Sequence, residues 1–342
     1  MGPAPRGDRG GVAGPSPASR ALPTELHATM GGAHEGPILA VRFSVSGAYL
    51  LTCGKDRTFR LWNPFKGALI KTYTGHAHEV RDVSCARDNA KMTTGGGDKQ
   101  VFLWDVATGQ KIRRFRGHDA AVNAVSFAAD DQVVVSAGYD RAVKFWDVRS
   151  NSIDAIQSVC AWKDSVTSLA ITRNHCVTAA SVDGSIRTMD LRAGRATADA
   201  LGSEHPITSV RASGDERCFL LSVLGGRCVL LDRGDGDVLA EYRGHVHDEG
   251  AFVFTLVPIR PRWRVSVESR LTRDDSHVAS GSEDGKVVFW DLVEANIAAT
   301  IDAHPGKACV SLAMHPTKDA MATCGTDGVA RLWGPTAGRG VF

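Results

Sequence analysis

Short apolar-rich runs that alternate with polar residues, Val101-Phe102-Leu103-Trp104 among them, recur along nearly the whole chain and are bounded by Gly and Asp turns. This is the period of half-buried β-strands, and no segment has the pattern of a long helix. The runs fall into a regular beat. A Trp-Asp pair or a near relative stands at Trp62-Asn63, Trp104-Asp105, Trp146-Asp147, Met189-Asp190, Leu231-Asp232, Trp290-Asp291 and Trp333-Gly334. Six residues before each pair comes a turn residue: Asp56, Asp98, Asp140, Asp183, Gly225, Asp284 and Asp327. Successive turn residues lie 42, 42, 43, 42, 59 and 43 positions apart, so the chain is a tandem array of seven units.

A period of that length with four short strands per unit predicts an all-β fold, a seven-bladed WD-repeat β-propeller. One blade cannot bury both faces alone, so the ring must close or leave an exposed edge. Only nine residues follow Trp333, too few for a turn and an outer strand, whereas Leu22 to Met30 precede the first repeat. That segment is predicted to supply the missing strand of the last blade. Residues 1–23, rich in Gly, Pro, Ala, Ser and Arg, read as a disordered tail, with a transit peptide as the competing reading. Residues 24–342 read as one propeller domain. The long interval before Asp284 marks an insertion near 257–269, containing Arg260, Pro261, Arg262, Trp263 and Arg264. A Trp among Arg residues suits protein or RNA contact, weighed against a merely solvated loop or a segment translated in error.

Charge changes this picture little. Lys and Arg total 40 against 38 acidic residues, so no general attraction to nucleic acid or anionic membrane is expected. No apolar run is long enough for a membrane helix, and the first residues lack a secretory signal's apolar core. Arg6 stands where a myristoylation site needs Ser or Thr. Eight cysteines are scattered singly, without zinc-site spacing. They read as strand fillers in a reducing compartment, the cytoplasm or nucleus. No metal and no cofactor is expected.

Polar residues with regular spacing fall into sets. His34, Thr52, Asp56 and Trp62 in blade one are matched by His76, Thr94, Asp98 and Trp104, and by His118, Ser136, Asp140 and Trp146. His245, Ser280, Asp284 and Trp290 form the candidate set of blade six; His304, Thr323, Asp327 and Trp333 form that of blade seven. In WD-repeat propellers such positions make a buried hydrogen-bond chain, and a satisfied chain specifies one packing. A Ser-His-Asp triad is the competing reading. A set repeated around a ring is scaffolding rather than one activated group in a cleft, so no enzyme is expected. Blades four and five replace hydroxyl and Trp together, by Ala179 with Met189 and by Leu221 with Leu231. Paired replacement avoids stranding one partner, and Asp183 remains as a turn former.

Finer detail points further. Leu51-Thr52-Cys53-Gly54, Leu61-Trp62-Asn63-Pro64, Gly95-Gly96-Gly97-Asp98-Lys99, Arg114-Phe115-Arg116-Gly117-His118 and Ser282-Glu283-Asp284-Gly285-Lys286-Val287 resemble the mitogen-activated protein kinase organiser family. The resemblance implies a non-enzymatic scaffold that gathers kinases of a signalling cascade and is also associated with the spliceosome and pre-mRNA splicing. It implies protein partners, namely kinase-cascade members and splicing factors. No small-molecule substrate, membrane or direct RNA contact is expected. The glycine-rich start, Gly225 and the blade-six insertion depart from the family pattern. A second reading is a substrate receptor of a cullin-RING ubiquitin ligase. Val135-Ser136-Ala137-Gly138-Tyr139-Asp140 followed by Phe145-Trp146-Asp147-Val148-Arg149 looks like a W-D-x-R box, in which Arg149 would touch the adaptor. Asp190-Leu191-Arg192 repeats it imperfectly. For a scaffold, the candidate contact residues are those before the turn Asp, Lys55, Tyr139 and Glu283, and those after the repeat His, Glu79, Arg81 and Asn123. Arg81 and Tyr139 rank first, as residue types enriched in binding hot spots.

Overall fold

The computed structural model describes residues 21–32, 34–192, 195–197, 205–247 and 267–335. Every sheet among them has four antiparallel strands, and there are seven such sheets. Blade one runs outward through Ile38–Phe43, Leu50–Gly54, Thr58–Asn63 and Ala68–Thr74, and the next five repeat that order. Blade seven differs. Its strands Cys309–Met314, Met321–Gly325 and Ala330–Gly334 are completed by Glu25–Met30, which pairs Met30 with Ala330 and Glu25 with Gly334. The two ends of the propeller thus meet in one sheet, and blade seven gains the same four strands as the other blades. Leu22 packs against the core between blades six and seven, and Pro23 is buried, so the packed structure starts just inside the stretch assigned to the tail. Residues 1–20 lie outside the described residues.

The core is a series of apolar seams between neighbouring blades. Met30, Ile38, Val41, Trp62, Ala322 and Leu332 fill the seam where the ring closes, and Leu51, Phe59, Tyr73, Val83, Met92 and Trp104 fill the next. In the outer strands most side chains face water, as in Ala68-Leu69-Ile70. The middle strands, such as Leu50–Gly54 and Val101–Asp105, are buried on both faces because each blade packs against a neighbour on either side, which corrects the half-buried pattern expected from the sequence.

The turn between the second and third strands is built alike in each blade. The residue after the turn Asp adopts positive φ, as Arg57, Lys99 and Arg141 do in the first three blades and Gly184, Gly226, Gly285 and Gly328 in the others. In blade five Gly225 also has positive φ, 95°, which is the backbone reason that this turn carries Gly instead of Asp. Antiparallel pairing puts these turns on the same face as the loops carrying the repeat His; turns after the first and third strands of each blade lie on the opposite face. The insertion needs a correction at its end. Val267 and Ser269 are fully buried, and Ser269–Leu271 is the innermost strand of blade six. These residues belong to the ring, while Arg260, Pro261, Arg262, Trp263 and Arg264 lie outside the described residues.

Candidate functional site

Four blades contain a complete polar row. In blade two the Trp104 indole N–H donates to Thr94 Oγ1 at 2.8 Å, Thr94 meets His76 Nε2 at 2.8 Å, and His76 Nδ1 lies 2.9 Å from Asp98 Oδ2. One tautomer satisfies all four groups: Trp gives to Thr, Thr to His, His to Asp. His34, Thr52, Asp56 and Trp62 are joined in the same way, at 2.9, 2.8 and 2.9 Å. So are His118, Ser136, Asp140 and Trp146, at 2.7, 2.7 and 2.8 Å, and His304, Thr323, Asp327 and Trp333, at 3.0, 3.0 and 2.9 Å. Burial alone would raise the Asp98 pKa. The His76 ring and the Ala77 and Gln100 amides outweigh it, holding the carboxyl below its ordinary value. The hydroxyls are wholly buried and occupied by Trp and His, so none is presented as a nucleophile.

The blade-six row is not assembled, which corrects the sequence reading. His245 Nδ1 has no hydrogen-bond partner among the described residues, and Nε2 lies 4.0 Å from Cys228 Sγ in blade five. Trp290 donates instead to the Arg243 carbonyl at 2.9 Å, and Ser280 to that of Gly281 at 3.0 Å. Asp284 accepts from the Lys286 amide, as a turn former. Chain geometry is the cause. In blade one the amide before the turn Asp, that of Lys55, reaches the Pro37 carbonyl three residues after the His. In blade six the corresponding amide, that of Glu283, takes the carbonyl of Val246, immediately after His245. The His245 loop thus meets the turn in a register shifted by two residues, and the imidazole stands edge-on to Trp290 at 5.5 Å. Burial, followed by the nearby His247, lowers its pKa to about 4. In blades four and five Ala179 and Met189, and Leu221 and Leu231, fill the space with apolar contact. Asp183 caps its turn through the Ser185 and Lys163 amides.

Four of the six candidate contact residues converge on the turn-bearing face. Arg81 donates to Asn123 Oδ1 at 2.7 Å, pairs with Glu79 at 2.8 Å, and holds its guanidinium 5.1 Å from the centre of the Tyr139 ring. Asn123 in turn donates to the Val166 carbonyl of blade four at 2.8 Å. The cluster therefore ties blades two, three and four together while leaving Tyr139 half exposed. Burial raises and the Arg81 hydrogen bonds lower the Glu79 pKa, with a net lowering, so the carboxylate stays charged. Lys55, exposed, and Glu283, partly buried, occupy equivalent turns of blades one and six. Arg149 is exposed on the opposite face, its amide bonded to Asp147 Oδ1 at 2.8 Å in a turn.

The channel at the centre holds charges that sequence reasoning missed. Arg42 of blade one grips Glu268 of blade six with two nitrogens, at 2.8 and 2.7 Å, and lies 2.9 Å from Asp82 of blade two. Arg211 of blade five reaches Glu268 at 3.1 Å, and Ser311 of blade seven donates to it at 2.8 Å. Arg270 stands 3.8 Å from the same carboxylate. Burial would raise the Glu268 pKa, but Arg42, Arg211 and Arg270 hold it far below the carboxylate range. The signal was present in the register: Asp82 and Glu268 precede the residues paired with Thr94 and Ser280, and Arg42, Arg211 and Arg270 follow those paired with Thr52, Leu221 and Ser280.

The WD domain, G-beta repeat family matches residues 25–63, 67–105, 109–147, 263–291 and 296–334, together more than half of the chain. The rat WD repeat domain-containing protein 83 is 48% identical over 309 residues, 90% of this chain and 92% of that protein. The chain belongs to this WD-repeat family. The human protein of the same name is 46% identical over 319 residues, 93% of this chain and 95% of its own length. An uncharacterized WD repeat-containing protein, C713.05, of Schizosaccharomyces pombe is 47% identical over 283 residues, covering 83% and 89%. The likeness to the organiser family read from the sequence agrees with these relatives. Blades four and five, which lack the polar row, are also the stretch that the repeat family does not match. WD-repeat propellers typically act as non-enzymatic interaction scaffolds. Among the described residues no cluster of His, Cys, Asp and Glu is arranged to hold a metal, and no helix is long and apolar enough to cross a membrane.

Proposed function

We propose that this protein is a scaffold that assembles mitogen-activated protein kinase modules, spliceosomal components or both, working in the cytoplasm and nucleus. The observation that carries the reading is the Arg81, Tyr139, Glu79 and Asn123 cluster. It offers an exposed ring and a guanidinium, the residue types of binding hot spots, held by hydrogen bonds across three blades. Rigid placement lowers the entropy that binding must overcome. Several such loops around one ring raise the effective concentration of bound proteins for one another without chemistry by the ring itself.

The test is affinity purification from cell extract, with mass spectrometry, of wild type against Arg81→Glu with Tyr139→Ala. The double variant should lose at least one kinase-cascade or splicing partner while its circular dichroism stays unchanged. An identical partner profile would move the binding surface elsewhere. The exposure of Arg149 keeps the ubiquitin-ligase receptor as the second reading. Recovery of a ligase adaptor by wild type and its loss in Arg149→Glu would favour that reading over the first.

A further inference from the structure

The channel cluster sets three guanidinium groups against two carboxylates, and its cations are unequally satisfied. Arg42 is fully engaged by Glu268 and Asp82. Arg211 donates to the Leu169 carbonyl and to Glu268, but its buried Nε has no partner among the described residues. Arg270 uses Nε on the Leu312 carbonyl at 3.1 Å. Its nearest terminal nitrogen is 3.8 Å from Glu268, beyond hydrogen-bond reach, and neither terminal nitrogen is bonded by a described residue. Both arginines line a chamber of about 550 Å³, open towards the face opposite the Tyr139 cluster and bordered by Ser213, Thr272 and His315 from the turns after the inner strands.

The rest of the lining does not cancel the surplus. Arg173 adds a cation, and Arg273 adds another that Asp319 approaches at 3.9 Å. Glu216 and Asp275 are turned to backbone amides, those of Arg173 and Gly214. Burial raises the pKa of both Asp82 and Asp275. Burial and then the neighbouring Arg211 push the Arg270 pKa down. The Arg270 side chain, 21% exposed, lines the chamber and presents its charge to a counter-ion there.

We propose that the chamber binds a phosphate group carried by a small molecule, held between Arg270 and Arg211. A guanidinium presents its N–H groups as a planar fork that matches phosphate oxygens; Arg270 has both terminal nitrogens for this, while Arg211, whose terminal nitrogens are engaged, adds its charge from the neighbouring inner strand. The chamber's volume lies in the range of small-molecule sites, ample for the organic portion of a phosphate ester. Bound there, the ligand joins blades five and six, in the part of the ring that lacks polar rows. The site is distinct from the protein-binding face and stands whether or not the scaffold reading holds.

The test uses the full chain in titration calorimetry at constant ionic strength, with inositol hexakisphosphate and inorganic phosphate as separate probes. Wild type should bind the inositol phosphate saturably and at least about tenfold more tightly than inorganic phosphate, because added phosphates reach Arg173 and Arg273. Arg270→Gln should weaken binding about tenfold or more, and Arg270→Lys, which keeps the charge without the fork, should fall between. Arg114→Gln, on an exposed outer strand, should bind as wild type. Circular dichroism checks each fold, and Arg270→Lys carries the test if Arg270→Gln does not fold. Absence of saturable binding, or wild-type affinity in both Arg270 variants, overturns the site. Equal affinity for the two probes overturns the assignment to a small organic phosphate.

Discussion

Blades one, two, three and seven share a continuous row from Trp to Asp, and blades four, five and six do not, yet all seven have the same four strands. The polar row is therefore not what makes a blade. Blades four and five dispense with hydroxyl and indole together and fill the space with Ala179, Met189, Leu221 and Leu231. Blade six keeps every residue type and still lacks the row. Its His and Asp stand 39 positions apart in the chain, against 22 in the first three blades and 23 in the seventh. A polar row needs a loop of the right length as well as the right residues. The weaker half is also where Glu268 gathers cations from blades one, five and six, so charge across the channel ties together blades that the rows do not.

The severest break is to unmake a complete blade from outside. Removing residues 1–32 deletes Glu25–Met30, bares the edge of Ala330–Gly334, and should abolish cooperative thermal unfolding. Removing residues 1–20 should leave the melt unchanged, and equal melts for the two truncations would refute closure by this strand. Next in size is Glu268→Ala, which deprives Arg42, Arg211 and Arg270 of their shared carboxylate and should cost on the order of 3–5 kcal/mol in denaturant unfolding. A loss below that of a surface substitution would deny the channel its bracing role.

The displaced His245 gives the comparison a pH dependence. Its folded pKa, about 4, lies below the ordinary 6.5, so the unfolded chain takes up the proton first as pH falls. Its contribution is intact above about pH 6.5, is lost progressively down to about 4, and changes no further below that. The whole swing is roughly 3 kcal/mol from the size of the shift. Unfolding free energies of wild type and His245→Phe should diverge across this window, and parallel curves would show that the ring is not held neutral. The smallest effect separates intact from apolar blades directly. Asp98→Ala leaves His76 without its acceptor and should cost about 1–3 kcal/mol, whereas Asp183→Ala, which loses only turn contacts, should cost less. For Asp98 the contribution is present above the ordinary carboxylate pKa and is lost as pH falls through the lower folded value. Denaturant melts ranking the two variants in reverse would undo the distinction.

The fold was legible because its determinants are local and repeated: the turn residue and the indole six positions on. Closure was legible too, in the strand-like run Leu22 to Met30 ahead of the first repeat, whose Glu25–Met30 part pairs with Ala330–Gly334. The Arg81 and Tyr139 pairing was reachable from repeat positions alone, but the distance between them was not. Two things stayed hidden. His245 sits on a loop that meets its turn two residues out of register, which depends on three-dimensional path, not on residue type. Glu268 was counted within the insertion because its only distinguishing mark is the register of a three-residue strand with Ser280. Its partners Arg211 and Arg42 lie 57 and 226 positions away, the first brought near by packing of the adjacent blade five and the second by ring closure.

The pairing of Glu25 with Gly334 and Met30 with Ala330 also fixes how the ring answers to force. The chain leaves this ladder before Glu25 and after Gly334, which are at the same end of it. Tension between those two points loads the hydrogen bonds one after another, as in a zip, instead of all at once in shear. A ring that resists heat through its seams is thus mechanically soft at one place, and two partners pulling on its opposite chain ends would part blade seven before disturbing any other.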